Sequence, residues 1–188
     1  HEITAKDVMV ALDGAKSSDW VLTQNETSSI DEVLKQAKEA GLKVAFNPAP
    51  MTESVKQLPV NCIDLLIVNE VEAQEITGHS DIDAMEQYFA ANWPDCEVII
   101  TLGKAGVCML KNGRRIEVDA FVVDAVDTTA AGDTFIGFFL SAYSEHTEAK
   151  VALTRACAAS AIGVTQVGAA QSIPDEDQVN RFLAKHHS

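Results

Sequence analysis

The most informative segment of the sequence is Val126-Asp127-Thr128-Thr129-Ala130-Ala131-Gly132-Asp133-Thr134-Phe135. An apolar segment reaches a turn of small residues, and an apolar helix is predicted to follow from Asp133. Ala130, Ala131 and Gly132 leave backbone N–H groups uncovered at the positive end of that helix, so a phosphate can approach them closely. Asp133 would then lie beside the anion. The alternative is that Asp133 only caps the helix.

Around this stretch, helical and strand patterns alternate along the chain, which predicts an α/β fold with a mostly parallel sheet. Capping patterns at Thr4 and Ser29 predict helix starts, and Asn112-Gly113 predicts a hairpin turn. The predicted strands are Asp19–Thr23, Lys43–Asn47, Leu65–Val68, Glu97–Leu102, Val107–Lys111, Arg115–Val118 and Phe121–Val126. The predicted helices are 4–12, 29–41, Glu70–Thr77, Ile82–Trp93, Asp133–Ser144, Ala149–Val164 and Asp175–His186. No linker separates these elements, so residues 1–188 are predicted to form a single domain.

Composition narrows the classes of function. The 188 residues carry a formal net charge of −14, which argues against nonspecific binding to nucleic acid or to an anionic membrane surface. No apolar stretch approaches the roughly 20 residues that a membrane helix needs. The four cysteines and five histidines do not cluster at zinc-ligand spacing. Four scattered cysteines predict free thiols in a reducing cytoplasm.

Five motifs occurring in order resemble the ribokinase (PfkB) family of sugar kinases. The stretch around Asp133 resembles the family's glycine-aspartate signature. The other four are Asn47-Pro-Ala-Pro50, Asn69-x-x-Glu72, the glycine loop Thr101-Leu102-Gly103-Lys104-Ala105-Gly106, and Ala161–Thr165 followed by Gly168–Pro174. The resemblance covers nearly the whole chain and implies a three-layer α/β/α fold.

The resemblance also implies a reaction, which is transfer of the γ-phosphate of ATP to the 5-hydroxyl of D-ribose, giving ribose 5-phosphate and ADP. Asp133 corresponds to the family's catalytic base and would orient and deprotonate the sugar hydroxyl. The backbone N–H groups of Ala131, Gly132 and Asp133 would form the anion hole for the transferred phosphoryl group.

For the nucleotide, the resemblance implies contacts from Asn69, from the loop Thr101–Gly106 and from Cys157 near the adenine. Glu72 would organise Mg²⁺ through water. Each residue has a plainer alternative. Glu72 can be an ordinary helix carboxylate, Thr101 part of a simple strand-to-strand loop, and Cys157 a packing residue on an alanine-rich helix.

The resemblance further implies a monovalent-cation site for K⁺ beside the anion hole. Its oxygen ligands would come from Asp127, the carbonyls of Thr129, Gly163, Gln166 and Gly168, and Ser172. Asp127 can instead be a turn-forming aspartate at a strand end. Glu26 corresponds to a glutamate that contacts the sugar, although a solvent-facing loop residue is an equally good interpretation.

The family has further upstream segments that this chain lacks, namely sugar-binding motifs and a small β-sheet lid. We therefore expect the chain to be the C-terminal, N-terminally incomplete part of a longer protein that dimerises through the lid. Two other hypotheses stay open. One is a family kinase for fructose, another sugar or a nucleoside, and the other is a nucleotide-binding fragment without activity.

Overall fold

The computed structural model describes residues 3–186. Six strands form one sheet in the order β1-β2-β3-β4-β5-β6. The strands are Trp20–Gln24 (β1), Lys43–Asn47 (β2), Leu65–Asn69 (β3), Glu97–Thr101 (β4), Val107–Lys111 (β5) and Arg114–Val118 (β6). The helices are Ala5–Ala11 (α1), Ile30–Glu39 (α2), Glu70–Thr77 (α3), Ile82–Asn92 (α4), Ala131–Ser144 (α5), Ala149–Gly163 (α6) and Glu176–His186 (α7).

The chain forms two compact units. The first comprises the chain up to Thr101 together with Met109–Arg115, and the second comprises Leu102–Cys108 together with the chain from Ile116 onward. The expectation of a single domain stays a prediction.

The first unit is built on parallel strands. β1 pairs with β2, β2 with β3 and β3 with β4, all in parallel. Four of the five positions are buried in both β2 and β3, as in the near-continuous apolar runs of buried parallel strands. Helices α2, α3 and α4 contribute Leu34, Ala73, Met85 and Phe89 to this core. The sheet therefore directs the carboxyl ends of its parallel strands to one edge.

Asp64 fixes the amino-terminal end of the buried strands. Its carboxylate accepts hydrogen bonds from Lys38 Nζ at 3.0 Å, Lys43 Nζ at 3.4 Å and the Val44 N–H at 2.9 Å. Burial alone raises the pKa of the Asp64 carboxyl. The Lys38 and Val44 hydrogen bonds and the two lysine charges outweigh burial, so the pKa lies below its usual range.

The second unit consists mainly of three helices. The alanine-rich α6 is buried at Ala158 and Ala159, where Val179 of α7 packs against it. Phe121 and Phe182 join the same cluster with ring centroids 5.1 Å apart. Small side chains on α6 allow the neighbouring helices to approach closely.

Several predicted ends are confirmed. The Thr4 capping box starts α1, and α3 spans the predicted residues. Gly78 follows α3 with φ +74°, the left-handed conformation that glycine adopts most easily. Asn112 and Gly113 both have positive φ, as a two-residue hairpin turn requires.

Three local predictions were wrong. Residues 121–126 form no strand, and Val122 is 97% exposed. An apolar, β-branched run makes a strand only where a neighbouring strand supplies its hydrogen bonds. Ser29 makes no capping bond, because it is left-handed and its hydroxyl donates to the Ile3 carbonyl. Helix α5 begins at Ala131, two residues before the predicted start at Asp133.

Within residues 3–186, none of the helices has both the length and the apolar character needed to cross a bilayer.

Candidate active site

In the first unit, polar side chains gather at the carboxyl edge of the parallel strands. Gln24 lies opposite Asn47 in the sheet, and its Nε2 donates to Asn47 Oδ1 at 3.0 Å. Asn69 lies opposite Thr101, whose hydroxyl donates to the Val68 carbonyl at 3.4 Å. Ligands of open α/β sheets bind at this edge. The predicted nucleotide residues Asn69 and Thr101 are therefore brought together.

Asn47 is a polar residue to which the sequence analysis assigned no role beyond its motif. It is 7% exposed, and its Nδ2 donates to the Ile67 carbonyl at 2.8 Å. Together with the bond from Gln24, this amide links the ends of three neighbouring strands. Its place at the end of an apolar strand, directly before Pro48, is the signal that identifies it as a structural amide.

Glu26 lies in the turn after β1, where its side chain is exposed. The neighbouring Asn25 holds this turn, because its Nδ2 donates to the Pro50 carbonyl at 2.7 Å and to Thr52 Oγ1 at 3.1 Å. The structure thus places Glu26 at the same strand edge as Asn69, on a turn with a defined anchor.

Asn69 and Glu72 form a capping box at the start of α3. The Glu72 N–H donates to Asn69 Oδ1, and the Asn69 N–H donates to Glu72 Oε2, both at 2.9 Å. Burial raises the pKa of the Glu72 carboxyl, the bond from the Asn69 N–H opposes this shift, and the charge of Glu75 adds to it, leaving the pKa above its usual value. The motif therefore has a structural role that the sequence analysis missed, although N-x-x-E is itself a capping pattern.

We expect Glu72→Gln to be at least as stable as the wild type at neutral pH. A carboxyl whose folded-state pKa is raised contributes stability below its unfolded pKa, near 4.5, and loses that contribution as pH rises through the folded pKa. Glutamine keeps an oxygen for the capping bond and carries no charge to desolvate. Urea unfolding at pH 7 and pH 4 measures this, and the difference should shrink at pH 4.

Glu70→Gln, an exposed change on the same helix, is the matched control and should alter stability little at either pH. A Glu72→Gln protein less stable than the wild type by more than about 1 kcal/mol at pH 7, the usual value of a cap, would show that the charged carboxylate stabilises α3.

In the second unit, the predicted glycine loop forms a tight turn. The Leu102 N–H donates to the Gly106 carbonyl at 2.8 Å, the Ala105 N–H to the Leu102 carbonyl at 3.0 Å, and the Gly106 N–H to the Gly103 carbonyl at 3.2 Å. Gly103, Lys104 and Ala105 are exposed, whereas Gly106 is buried. The turn therefore presents three residues to solvent on a backbone that is hydrogen-bonded internally.

The start of α5 matches the predicted anion site in most respects. Ala130 precedes the helix and supplies no side-chain cap, and Asp133 is the third helical residue, with an exposed side chain. Gly132 faces open space, since a methyl group built on it meets no atom within 4 Å. Ala131 differs, because its N–H donates to the Thr128 carbonyl at 3.2 Å. Asp133 is thus not at the N-cap position of this helix.

Several of the predicted cation ligands are joined by hydrogen bonds. Asp127 Oδ1 accepts from the Thr129 hydroxyl at 2.6 Å and from the Thr129 N–H at 3.0 Å, and Oδ2 accepts from the Gly168 N–H at 3.1 Å. These bonds, led by that of the Thr129 hydroxyl, hold the pKa of the Asp127 carboxyl below its usual range. The Gln166 N–H donates to the Gly163 carbonyl at 3.1 Å. The arrangement offers oxygen donors, which suit a hard cation.

Ser172 and Cys157 complete the predicted set in this unit. Ser172 is 3% exposed, and its hydroxyl donates to the Ala169 carbonyl at 2.8 Å. Burial raises the pKa of the Cys157 thiol to about 12, so the thiol is protonated at neutral pH and chemically unreactive. Among residues 3–186, no three His, Cys, Asp or Glu side chains are grouped so that they could hold a metal ion. A cation here would therefore combine the single carboxylate of Asp127 with carbonyl and hydroxyl oxygens.

The chain matches the pfkB family of carbohydrate kinases over residues 5–176. It belongs to this family. It is 38% identical over 172 residues to the ribokinase of Haemophilus influenzae, covering 88% of this chain and 56% of that protein. It is 28% identical over 189 residues to a deoxyribokinase of Salmonella typhi, covering 97% and 61%.

Solved structures agree with this assignment. Arabidopsis thaliana ribokinase complexed with ribose and ATP superposes with a TM-score of 0.83 at 29% identity, covering 97% of this chain and 60% of that one. The similarity confirms the predicted fold class, a three-layer α/β fold with a mostly parallel sheet. The chain spans a little over half the length of the curated relatives that it matches.

Proposed function

We propose that the full-length protein is an ATP-dependent sugar kinase that phosphorylates the 5-hydroxyl of D-ribose, giving ribose 5-phosphate and ADP. The observation that carries this proposal is the start of α5. There, helical N–H groups without a side-chain cap, an open glycine and an exposed aspartate occur within four residues. Family membership and the identity to ribokinases support the same conclusion.

In the proposed reaction, Asp133 accepts the proton of the sugar hydroxyl while the hydroxyl oxygen of the sugar forms a bond to the γ-phosphorus of ATP. The bond between that phosphorus and the oxygen bridging it to the β-phosphate breaks, and ADP leaves with the electron pair. A carboxylate is a weak base for an alcohol, but phosphoryl transfer depends mainly on positioning and on stabilisation of charge. Asp133 at the third helical position can supply the positioning.

The anion hole in this proposal comes from the Ala131, Gly132 and Asp133 N–H groups. The positive end of α5 stabilises the charge on the phosphoryl oxygens. Because the Ala131 N–H already donates to Thr128, phosphate must share or replace that bond. Gly132, which has open space before it, is therefore the strongest of the three candidates.

From the family resemblance we propose nucleotide contacts for Asn69, Thr101, Leu102–Gly106 and Cys157. Asn69 and Thr101 lie at the strand edge of the first unit. The turn Leu102–Gly106 and the α6 residue Cys157 belong to the second. With its buried, protonated thiol, Cys157 would act as a small apolar wall.

Bound cations would supply charge neutralisation at the phosphates. Glu72 would hold Mg²⁺ through water, which suits an ion that keeps several waters and needs few carboxylates. The cluster of Asp127, Thr129, Gly163, Gln166, Gly168 and Ser172 would hold K⁺. Its hydrogen bonds join the turn before α5 to the loop after α6, so an ion there would stiffen the anion hole.

Sugar specificity is the finer part of the proposal. Glu26 would bind sugar hydroxyls from its anchored turn, and 2-deoxyribose is the main competitor, given the identity to a deoxyribokinase.

The four cysteines are free thiols, which is consistent with a reducing cytoplasm.

The test is ATP-dependent phosphorylation by the full-length protein of ribose, 2-deoxyribose, fructose and adenosine, with Mg²⁺ and K⁺ present. The proposal predicts the highest kcat/KM for ribose. A higher kcat/KM for another acceptor would assign the protein to a different kinase of the family. ATP binding without transfer to any of the four would overturn the kinase proposal for these acceptors.

A further inference from the structure

One residue beyond Asp133, helix α5 carries a buried hydroxyl that forms no hydrogen bond within the described residues. Thr134 is 2% exposed, and its Oγ1 has no hydrogen-bond partner anywhere in residues 3–186. Its backbone N–H donates normally to the Ala130 carbonyl at 2.9 Å. Buried hydroxyls are costly to leave unpaired, and native proteins pair them with protein groups or with ordered water.

The hydroxyl lies near the end of α6. A methyl group built on Gly163 would lie 3.5 Å from the Ser172 carbonyl oxygen and 3.8 Å from Thr134 Oγ1. Both oxygens therefore lie close to the same glycine. A water bound to the Thr134 hydroxyl needs further polar partners, and the Ser172 carbonyl is an acceptor in that neighbourhood.

The residues around this space belong to the loop that follows α6. Ser172 is buried, and both its N–H and its hydroxyl donate to the Ala169 carbonyl, at 3.2 and 2.8 Å. The neighbouring Gly168 N–H donates to Asp127. The loop is thus held to the turn before α5 through Asp127, and its Ser172 carbonyl lies near Gly163 at the end of α6.

We propose that Thr134 is a positioning residue. Its hydroxyl and the Ser172 carbonyl hold one buried water, which ties the first turn of α5 to the loop assigned to the monovalent cation. The connection to the cation rests on the proposed function. Loss of the hydroxyl removes no cation ligand, but it loosens the loop against α5 and so weakens binding of the ion.

Thermal unfolding of three substitutions tests the water link without any need for catalysis. Thr134→Val keeps the side-chain shape and replaces the hydroxyl by a methyl group, whereas Thr134→Ser keeps the hydroxyl. Without K⁺, Thr134→Val should lower Tm by about 2–4 °C, and Thr134→Ser should stay closer to the wild type. Thr154→Val makes the same chemical change on α6, where the hydroxyl donates to the Lys150 carbonyl, and serves as the control for the response to K⁺.

The cation arm measures the rise in Tm that KCl produces beyond choline chloride at equal ionic strength, in the full-length protein. Thr134→Val should raise the K⁺ concentration for half of this rise by about fivefold or more, the lower end of coupling between sites. Thr134→Ser should restore the wild-type concentration, and Thr154→Val should not change it.

Any other result of the Tm and K⁺ measurements overturns either the buried water or the positioning role of Thr134. An equal or higher Tm for Thr134→Val shows that the hydroxyl had no partner to lose, and it removes the water. A lower Tm with an unchanged K⁺ midpoint leaves a purely structural hydroxyl and removes the positioning role. A wild type without a K⁺-specific rise also removes that role. The sugar phosphorylation assay reports failure of the proposed function separately.

Discussion

Asp133→Asn is expected to lower kcat for sugar phosphorylation by about 10²–10⁴-fold, the range for loss of a general base. Asparagine has the shape of aspartate but cannot accept the proton of the sugar hydroxyl. Asp133 is exposed and does not occupy the N-cap position of α5. Asparagine loses the favourable interaction of a carboxylate with a helix N-terminus, about 0.3–1 kcal/mol, and the protein should stay folded.

Steady-state kinetics of the full-length protein measures this effect, with circular dichroism and thermal unfolding to confirm the fold. Asp124→Asn is the matched control, because Asp124 is an exposed aspartate in the same unit and has no proposed role. If Asp133→Asn retained kcat within a few-fold of the wild type, another group would have to accept the proton, and the assignment of the catalytic base would be wrong.

Gly106→Ala is expected to destabilise the protein by about 3 kcal/mol or more, a size reserved for severe local strain or clashes. A Cβ atom at this position would lie 2.1 Å from the Val118 carbonyl oxygen and 2.8 Å from the Ala120 nitrogen. Both neighbours are backbone atoms, which cannot rotate away. Gly106 also has φ +106°, a conformation that side chains disfavour. The turn Leu102–Gly106 thus depends on Gly106 for its packing against the Val118 and Ala120 backbone. In the proposed function, the same turn also approaches the phosphates.

Urea unfolding measures the loss, and Gly103→Ala provides the control in the same turn. Gly103 has φ +54° but open space around it, so its substitution should cost only the conformational strain, about 1 kcal/mol. Equal losses for the two substitutions would show that backbone conformation alone, and not the approach of Val118, makes Gly106 necessary.

Much of the local structure was predictable because short-range rules decided it. The Thr4 capping box, Gly78 after α3 and the Asn112-Gly113 hairpin each depend on residues a few positions apart. Ser29 and residues 121–126 failed for the opposite reason. The Ser29 hydroxyl donates to the carbonyl of Ile3, 26 positions away, and an apolar run such as 121–126 cannot reveal whether a neighbouring strand is available.

The candidate site divides in the same way. The turn at Asp127 and the existence of a helix after it were predictable, since small residues before an apolar helix have a direct physical meaning, although the helix begins two residues earlier than predicted. The N-x-x-E pattern of Asn69 and Glu72 is itself a capping pattern, but the sequence analysis gave these residues only the nucleotide and Mg²⁺ roles that the family resemblance implies. Within the described residues, the buried Thr134 hydroxyl has no hydrogen-bond partner. Its surroundings include Gly163 and the Ser172 carbonyl, from distant parts of the sequence. No sequence pattern contains that three-dimensional contact.

The start of α5 is proposed to bind the transferred phosphoryl group, and a pair of glycine substitutions in this helix tests that role. Gly132 and Gly137 both lie in α5, both are exposed, and a methyl group on either meets no atom within 4 Å. Alanine at each position should therefore maintain stability or raise it by up to about 1 kcal/mol.

The measurement is kcat/KM for ATP in the full-length protein, with the two substitutions compared side by side. We expect Gly132→Ala to lower kcat/KM by about tenfold or more, because the methyl group occupies the approach to the N–H donors. One oxyanion-hole donor is worth at least that much. Gly137→Ala should match the wild type. A Gly132→Ala protein as active as Gly137→Ala would show that the phosphoryl group binds elsewhere.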